Sequence, residues 1–349
     1  MSTYTETWLA GPGSTQFYTR TYAPAPGVPT KAVVVALHGF AEHVARYTHL
    51  HPLISARGIV VFAYDQRGFG LTAQDTTGKK SKESAYGKTS WKDQMADIEW
   101  ALGHAKKTYE GVPLFLLGHS MGGGEALGFA TQGDGYKSTI DALSGVIATS
   151  PLIQQTTPAP KLLKWIGGKV SVVVPNKLIP AEVKAEQLSH DPAVNSAYLK
   201  DPLVKQSGSL RGINDMLTNG ELLLTHGVHR WPKALPMIII HGTDDKVTSP
   251  KASQKFHDGI TADKKKIVLF EGGFHELQNE PDGVKEKLAE EIVSFVEEHI
   301  PTAALPPAVE TAAAAPEDTM AETVAETLAP TAAQTETPTA ESGINKAKM

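Results

Sequence analysis

A serine flanked by two glycines stands where an apolar run gives way to a helical pattern. Gly118, Ser120 and Gly122 form a Gly-x-Ser-x-Gly motif directly after the apolar residues 113–117, and residues from 123 onward favour a helix. In a nucleophile elbow, such a turn is strained and presents an exposed serine hydroxyl beside the positive end of a helix. The motif alone is a weak signal because glycine-rich turns are common. The residues around it must show whether it is a nucleophile elbow.

Two further candidates for the same chemistry follow predicted strands downstream. A turn containing Asp245 follows the apolar run 236–240, and a loop containing His275 follows the run 267–270. A serine hydroxyl needs a neutral imidazole to take its proton, and the imidazole needs a carboxylate that fixes its tautomer and stabilises its cation. The loops after parallel strands meet at one edge of a sheet. The order serine, acid, histidine therefore predicts a triad of Ser120, Asp245 and His275.

The acid has a neighbouring competitor. Asp244 and Asp245 are adjacent, and one turn can direct only one of them at the histidine. Asp245 is favoured because an acid of this type typically precedes an x-Val turn that leads into a helix. Asp244 is then expected to cap that helix or to belong to the turn.

An oxyanion hole requires two backbone N–H groups. One is predicted at Met121, directly after the nucleophile. The other should follow an early strand, and residues 31–37 form such an apolar run before His38-Gly39-Phe40. Phe40 is therefore the second expected donor, although an ordinary tight turn would leave the same pattern.

Four segments carry a further pattern, at residues 38–47 (His-Gly-Phe-Ala-Glu-His-Val-Ala-Arg-Tyr), 65–70, 118–122 and 274–277. Together they resemble the monoacylglycerol lipases of the serine α/β-hydrolase superfamily, over about residues 10–300. The resemblance implies an α/β-hydrolase fold, with a mainly parallel eight-stranded sheet, helices on both faces and a helical cap insertion. It also implies hydrolysis of monoacylglycerols to fatty acid and glycerol, without a cofactor or a metal.

The resemblance extends to the glycerol end of the pocket. In that family the residues matching Glu42 and Arg46 shape the polar end that holds the headgroup. A plain salt bridge at the start of a helix explains the pair equally well, and the two interpretations are compatible. Animal members tend to have a histidine where this chain has Gln278, whose amide also donates and accepts hydrogen bonds.

Composition narrows the function classes. The chain has 349 residues and no cysteine, which excludes disulfides and thiolate chemistry and fits one α/β domain with an insertion. Acidic and basic residues balance over residues 1–300, so there is no electrostatic case for nucleic acid. No secretory signal and no apolar run near the ~18 residues of a membrane span are present. A cytoplasmic enzyme, peripheral on lipid droplets or intracellular membranes, is the expectation.

Alternating strand and helix patterns predict how the chain is divided. The first two strand runs, 3–9 and 16–22, are expected to pair antiparallel, and residues 91–107 and 284–298 give the clearest helices. The expected parts are a core at 1–150 and 231–300, a cap at 151–230, and a disordered Ala/Thr/Pro/Glu-rich tail at 301–349.

The cap sequence has two interpretations. Residues 161–166 and 170–174 are apolar, with lysines at 161, 164, 169 and 177. The apolar face either packs over the pocket as a lid or stays partly exposed and enters a lipid surface, with the lysines at the interface.

Two other functions remain open at the level of sequence. The same triad could serve a lysophospholipase or a broad-specificity carboxylesterase, and a hydrolase-fold ligand-binding scaffold would need no chemistry. An intact triad argues against the scaffold.

Overall fold

The protein is described by a computed structural model over residues 4–158 and 160–301. The tail expected at 301–349 lies outside the described residues, apart from Pro301. The strands are β1 (Thr5–Ala10), β2 (Gln16–Tyr22), β3 (Ala32–Leu37), β4 (Ile59–Tyr64), β5 (Leu114–His119), β6 (Leu143–Thr149), β7 (Leu178–Pro180), β8 (Ser207–Ser209), β9 (Met237–Gly242) and β10 (Lys265–Phe270). The helices are α1 (His51–Ser55), α2 (Gly70–Gln74), α3 (Trp91–Thr108), α4 (Met121–Ala130), α5 (Lys137–Ile140), α6 (Lys161–Val173), α7 (Pro192–Lys200), α8 (Leu210–Leu223), α9 (Pro250–Gly259) and α10 (Val284–Glu298).

Eight strands form one sheet in the order β1-β2-β4-β3-β5-β6-β9-β10. The pairs β1–β2 and β2–β4 are antiparallel, and every other neighbouring pair is parallel. The antiparallel opening pair and the mainly parallel sheet are therefore confirmed. Strands β5, β9 and β10 run parallel, so the loops that follow them meet at one edge of the sheet.

The sheet has a hydrophobic core on each face. Along β3, Val33 and Val35 pack into one core, whereas Val34 and Ala36 pack into the other, as the two-residue strand period requires. One core includes side chains of α3, α4 and α9, and the other includes those of α1 and α10. Burial on both faces explains why the central strands are continuous apolar runs.

The two helices predicted with the clearest periodicity are present. α3 begins after Ser90, whose hydroxyl caps it by accepting from the N–H of Asp93, and α10 spans the expected residues. Between β6 and β9 the chain forms the cap, which comprises α6, the two-stranded β7–β8 sheet, α7 and α8. Within the described residues, no helix has both the length and the apolar content required to cross a bilayer.

Candidate active site

The nucleophile elbow lies between β5 and α4. Ser120 has φ 55° and ψ −117°, a left-handed backbone conformation that costs a non-glycine residue energy. A Cβ added at Gly118 would lie 2.0 Å from the carbonyl oxygen of Gly122, and one added at Gly122 would lie 2.6 Å from that of His38. The sharp turn therefore requires both glycines.

Ser120 is buried rather than exposed, with 9% of its surface accessible. The expectation of an exposed serine is wrong for this structure, because cap residues line the cavity around it and reduce its accessibility. Val183, Leu188 and Tyr198 of the cap line the same cavity as Ser120.

The predicted triad is hydrogen-bonded end to end. His275 Nε2 lies 2.9 Å from Ser120 Oγ, and His275 Nδ1 lies 2.7 Å from Asp245 Oδ2. Asp244 is exposed, and its N–H donates to the carbonyl of Gly273 instead. The arrangement can take a proton from the serine hydroxyl and stabilise the imidazolium that results.

Asp245 is held by four further contacts. Its Oδ1 accepts from the N–H groups of Val247 (2.7 Å) and Thr248 (2.9 Å), and its Oδ2 accepts from Thr248 Oγ1 at 2.8 Å. His241 Nε2 lies 3.0 Å from Oδ2. Burial raises the pKa of Asp245, but the charge and hydrogen bond of His275 and the hydrogen bond of His241 outweigh it and hold that pKa well below its usual range. The carboxylate is therefore ionised and fixed in orientation.

The pKa values of the two histidines beside the serine are shifted in opposite directions. Burial lowers the pKa of His275, but the Asp245 carboxylate and its hydrogen bond, followed by Glu276 and Glu42, outweigh burial and raise that pKa. In His119, burial and then His275 lower the pKa to about 3, so this ring is neutral. His119 Nδ1 lies 3.1 Å from Thr149 Oγ1, which supports a packing role.

The loop after β3 lies against the serine, as the oxyanion-hole prediction requires. A Cβ added at Gly39 would lie 3.2 Å from Ser120 Cβ, and Phe40 lines the serine cavity. His38 fixes this loop, since its Nε2 accepts from the N–H of Gln66 at 2.8 Å and its Nδ1 lies 2.8 Å from the carbonyl of Gly39. Met121 is the first residue of α4, where N–H groups lack helical partners.

Glu42 and Arg46 form an ion pair that also lines the serine cavity. Glu42 accepts from the N–H of Gly39 (2.5 Å), Tyr47 Oη (2.6 Å) and Arg46 Nη1 (2.5 Å). Arg46 donates two bonds to Glu276, at 2.7 and 2.8 Å. Both interpretations of the pair, as a salt bridge and as part of the pocket wall, are compatible with this geometry.

Gln278 does not join the other candidate residues. It lies in a short 3₁₀ turn, Leu277–Asn279, and is 1% exposed. It lines a separate cavity of about 10 Å³ with Tyr47 and His119, not the cavity that contains Ser120. The resemblance implied a place for Gln278 at the glycerol end of the pocket, whereas the turn after His275 places it at this other cavity.

Two cavities differ sharply in size and lining. The Ser120 cavity has a volume of about 30 Å³, enough for one or two water molecules. A cavity of about 420 Å³ lies between α6 and α8, with a mainly apolar lining that includes Ile179, Ile213 and Leu217. Within residues 4–158 and 160–301, no group of three or more His, Asp or Glu side chains is arranged to hold a metal ion.

Comparison with known proteins identifies the family. The family described as Hydrolase_4, serine aminopeptidase S33, matches residues 28–282. A monoglyceride lipase of Saccharomyces cerevisiae is 30% identical over 281 residues, which cover 78% of this chain and 87% of that protein. The chain belongs to the monoglyceride lipase family.

Further members and their structures support the assignment to this monoglyceride lipase family. A Schizosaccharomyces pombe protein, provisionally named a monoglyceride lipase, is 33% identical over 86% of this chain and 77% of its own length. The crystal structure of a soluble variant of the Saccharomyces cerevisiae monoglyceride lipase, in complex with a substrate analog, superposes with a TM-score of 0.73 at 26% identity. It matches 86% of this chain and 97% of that one. These matches confirm the α/β-hydrolase fold.

Sequence reasoning missed three residues of the site. Glu276 binds Arg46, whereas His241 and Thr248 hold Asp245. One signal was available for Glu276, since it directly follows the catalytic histidine candidate and precedes an apolar residue. The partners of His241 and Thr248 depend on how the turn after β9 folds.

Proposed function

We propose that this protein hydrolyses monoacylglycerols to fatty acid and glycerol through an acyl-enzyme at Ser120. The observation that carries the proposal is the continuous hydrogen-bonded path from Asp245 through His275 to Ser120 at a strained elbow. Membership of the monoglyceride lipase family supports the substrate class.

The proposed reaction has two halves. Ser120 Oγ attacks the ester carbonyl while His275 Nε2 takes its proton, and the N–H groups of Phe40 and Met121 stabilise the tetrahedral oxyanion. His275 then gives the proton to the glycerol oxygen as the ester C–O bond breaks. Water, deprotonated by His275, attacks the acyl-enzyme, and the proton returns to Ser120 as the fatty acid leaves.

The glycerol end of the substrate is assigned to the wall formed by Glu42 and Arg46. Both line the serine cavity, and carboxylate oxygens at this wall are acceptors for glycerol hydroxyls. Gln278 is not part of this assignment, because it lines the separate cavity.

The acyl chain is assigned to the apolar cavity between α6 and α8. Phe40, Met121 and Met216 pack in one apolar cluster beside the serine, and Ile213 and Leu217 on the same helix as Met216 line the larger cavity. Pockets for small-molecule ligands typically have volumes of about 300–1,000 Å³, a range that includes this cavity, whereas the serine cavity alone is far smaller. Cap side chains above Ser120 must therefore move when substrate enters.

The cap is assigned a second role, which is peripheral contact with a membrane or lipid-droplet surface. On α6, Leu162, Trp165 and Val172 are 68%, 62% and 69% exposed. Lys169 lies over the Trp165 ring at 5.9 Å from its centroid, as expected for a cation at a lipid interface. Exposed apolar side chains grouped in this way mark an interaction surface.

Purified protein tests the function directly. Monoacylglycerol, diacylglycerol, lysophospholipid and a simple ester of the same acyl length are compared as substrates, with Ser120→Ala as the blank. Preference for monoacylglycerol supports the proposal. Preference for lysophospholipid would make the protein a lysophospholipase, and equal rates would make it a broad carboxylesterase. A lack of both turnover and fluorophosphonate labelling would favour a ligand-binding scaffold.

A further inference from the structure

Glu276 completes the polar wall of the serine cavity. It directly follows His275, is 3% exposed, and lines the cavity together with Glu42 and Arg46. Arg46 donates to both of its oxygens, and Asn279 Nδ2 donates to Oε2 at 2.6 Å. Burial raises the pKa of Glu276, but the charge and hydrogen bonds of Arg46 outweigh it and lower that pKa to about 2. The side chain is therefore an anion at neutral pH.

The wall carries more negative than positive charge. Glu42 accepts from three donors, as a carboxylate does, and among the described residues lining this cavity Arg46 is the only Lys or Arg. Burial raises the pKa of Tyr47 well above its usual value, so its hydroxyl is neutral. Two carboxylates thus face one guanidinium, and the third carboxylate of the site, Asp245, lies behind His275.

The guanidinium of Arg46 is occupied by other residues of the cavity wall. Its Nη1 bonds both glutamates, its Nη2 bonds Glu276, and its guanidinium carbon lies 4.8 Å from the Tyr198 ring centroid. An arginine available to a phosphate would present a free pair of donors. Here that pair is occupied by the carboxylate of Glu276.

We propose that Glu276 is a specificity-determining residue, which occupies Arg46 and gives the wall a net negative charge so that the site accepts uncharged leaving alcohols and rejects phosphorylated ones. The inference rests on the proposed ester hydrolysis and adds a charge criterion to it. A phosphate beside two buried carboxylates is repelled, whereas glycerol hydroxyls donate to those same oxygens.

The test measures how the full-length protein hydrolyses three water-soluble butyryl esters, namely butyrylglycerol, butyrylglycerol phosphate and ethyl butyrate. Equal acyl groups and the absence of micelles leave the alcohol as the variable. We expect wild type to have a kcat/KM for butyrylglycerol about 100-fold above that for the phosphate ester. Glu276→Gln keeps the shape and removes the charge, and it should narrow this ratio by about ten-fold.

Matched variants separate charge from structure. Glu276→Asp retains the charge and should retain most of the discrimination. Glu271→Gln makes the same chemical change at an exposed position outside the cavity and should leave the ratio at the wild-type value. Glu42→Gln removes the other charge of the wall and should also narrow the ratio, which keeps the test decisive if Glu276→Gln does not fold.

Each outcome is distinguishable. A wild-type ratio near one, or an unchanged ratio in both Glu276→Gln and Glu42→Gln, overturns the charge criterion even though ester hydrolysis stands. If ethyl butyrate and butyrylglycerol are hydrolysed equally well, Glu42 and Arg46 do not bind the glycerol group. The ratio between butyrylglycerol and its phosphate ester still tests the charge criterion. If the folded wild-type protein hydrolyses none of the three esters, the proposed function is overturned, and this inference with it.

Discussion

The region around Ser120 and the outer surface of α6 have opposite distributions of polarity. Around the serine, Asp245, His275 and Glu276 are nearly fully buried; Asp245 is hydrogen-bonded to His275, and Glu276 accepts from Arg46. On α6, Trp165 and Val173 are 62% and 80% exposed although they are apolar. Buried charges have strong interactions with fixed partners, whereas exposed apolar side chains stabilise a complex only when another surface covers them. This difference supports the proposed chemistry at the sheet loops and the proposed lipid contact at the cap.

The largest expected effect is at the nucleophile. Ser120→Ala removes the attacking oxygen and should abolish turnover of soluble and long-chain esters alike. The melting temperature should change little, because the hydroxyl contributes one hydrogen bond to the fold. Circular dichroism measures the melting temperature, ester hydrolysis assays measure turnover, and labelling with a fluorophosphonate reports whether the nucleophile is present. Residual turnover at the wild-type rate would exclude Ser120 as the nucleophile.

The next effect distinguishes the adjacent aspartates. Asp245→Asn should reduce kcat by about 10⁴-fold, because an amide at this position favours the wrong tautomer of His275. Asp244→Asn is the matched control, since Asp244 is exposed and its contact runs through the backbone N–H. Equal losses in steady-state assays of the two variants would contradict the assignment of the acid.

A smaller effect is expected on the cap. Replacing Trp165 and Val172 by serine removes two exposed apolar side chains that do not line the cavity between α6 and α8. Binding to liposomes should weaken about ten-fold or more, with a parallel loss of long-chain monoacylglycerol hydrolysis. Butyrylglycerol turnover should persist. Leu269→Ser, at a 45% exposed apolar position on β10, is the control for a general loss of surface apolarity.

Liposome binding equal to wild type in the double variant would contradict the cap assignment. The cap would then act as a lid alone.

The smallest expected effect is a shift in the pH profile. His275 must be neutral to act as a base, so kcat/KM should fall as the pH drops through its pKa, which lies above the usual 6.5. Among the groups facing the ring, Asp245, Glu276 and Glu42 raise this pKa. Glu276→Gln removes one of them, so the acid limb measured with ethyl butyrate should move to lower pH. A limb that stays in place, or moves to higher pH, would show that Glu276 does not act on His275.

The contribution of His275 to the stability of the fold changes with pH in the direction opposite to that of the activity. Because the folded-state pKa of His275 is raised, its contribution to stability is fully present below the unfolded-state value of about 6.5. That contribution is lost as the pH rises through the raised pKa. The neutral imidazole that catalysis needs is therefore the less stabilised form of the folded protein.

The local sequence determined the fold class and indicated which loops bring the three triad candidates together. Strands β3, β5 and β9 are short, continuous apolar runs, and the residues that follow them supply Phe40, Ser120 and Asp245. This succeeded because a strand buried on both faces and a turn with obligatory glycines leave signals within a few residues. The helix over Val284–Glu298 was equally clear from its periodicity.

The tertiary structure decided what depends on residues far apart in the chain. Arg46 and Glu276 are 230 positions apart, yet they form an ion pair in the wall of the serine cavity. The family resemblance implied a pocket position for Gln278, but a short 3₁₀ turn places it at a different, buried cavity. Ser120 is covered because the cap folds back over the sheet. Sequence records which groups are present, whereas burial, charge balance and enclosure arise only when distant segments pack together.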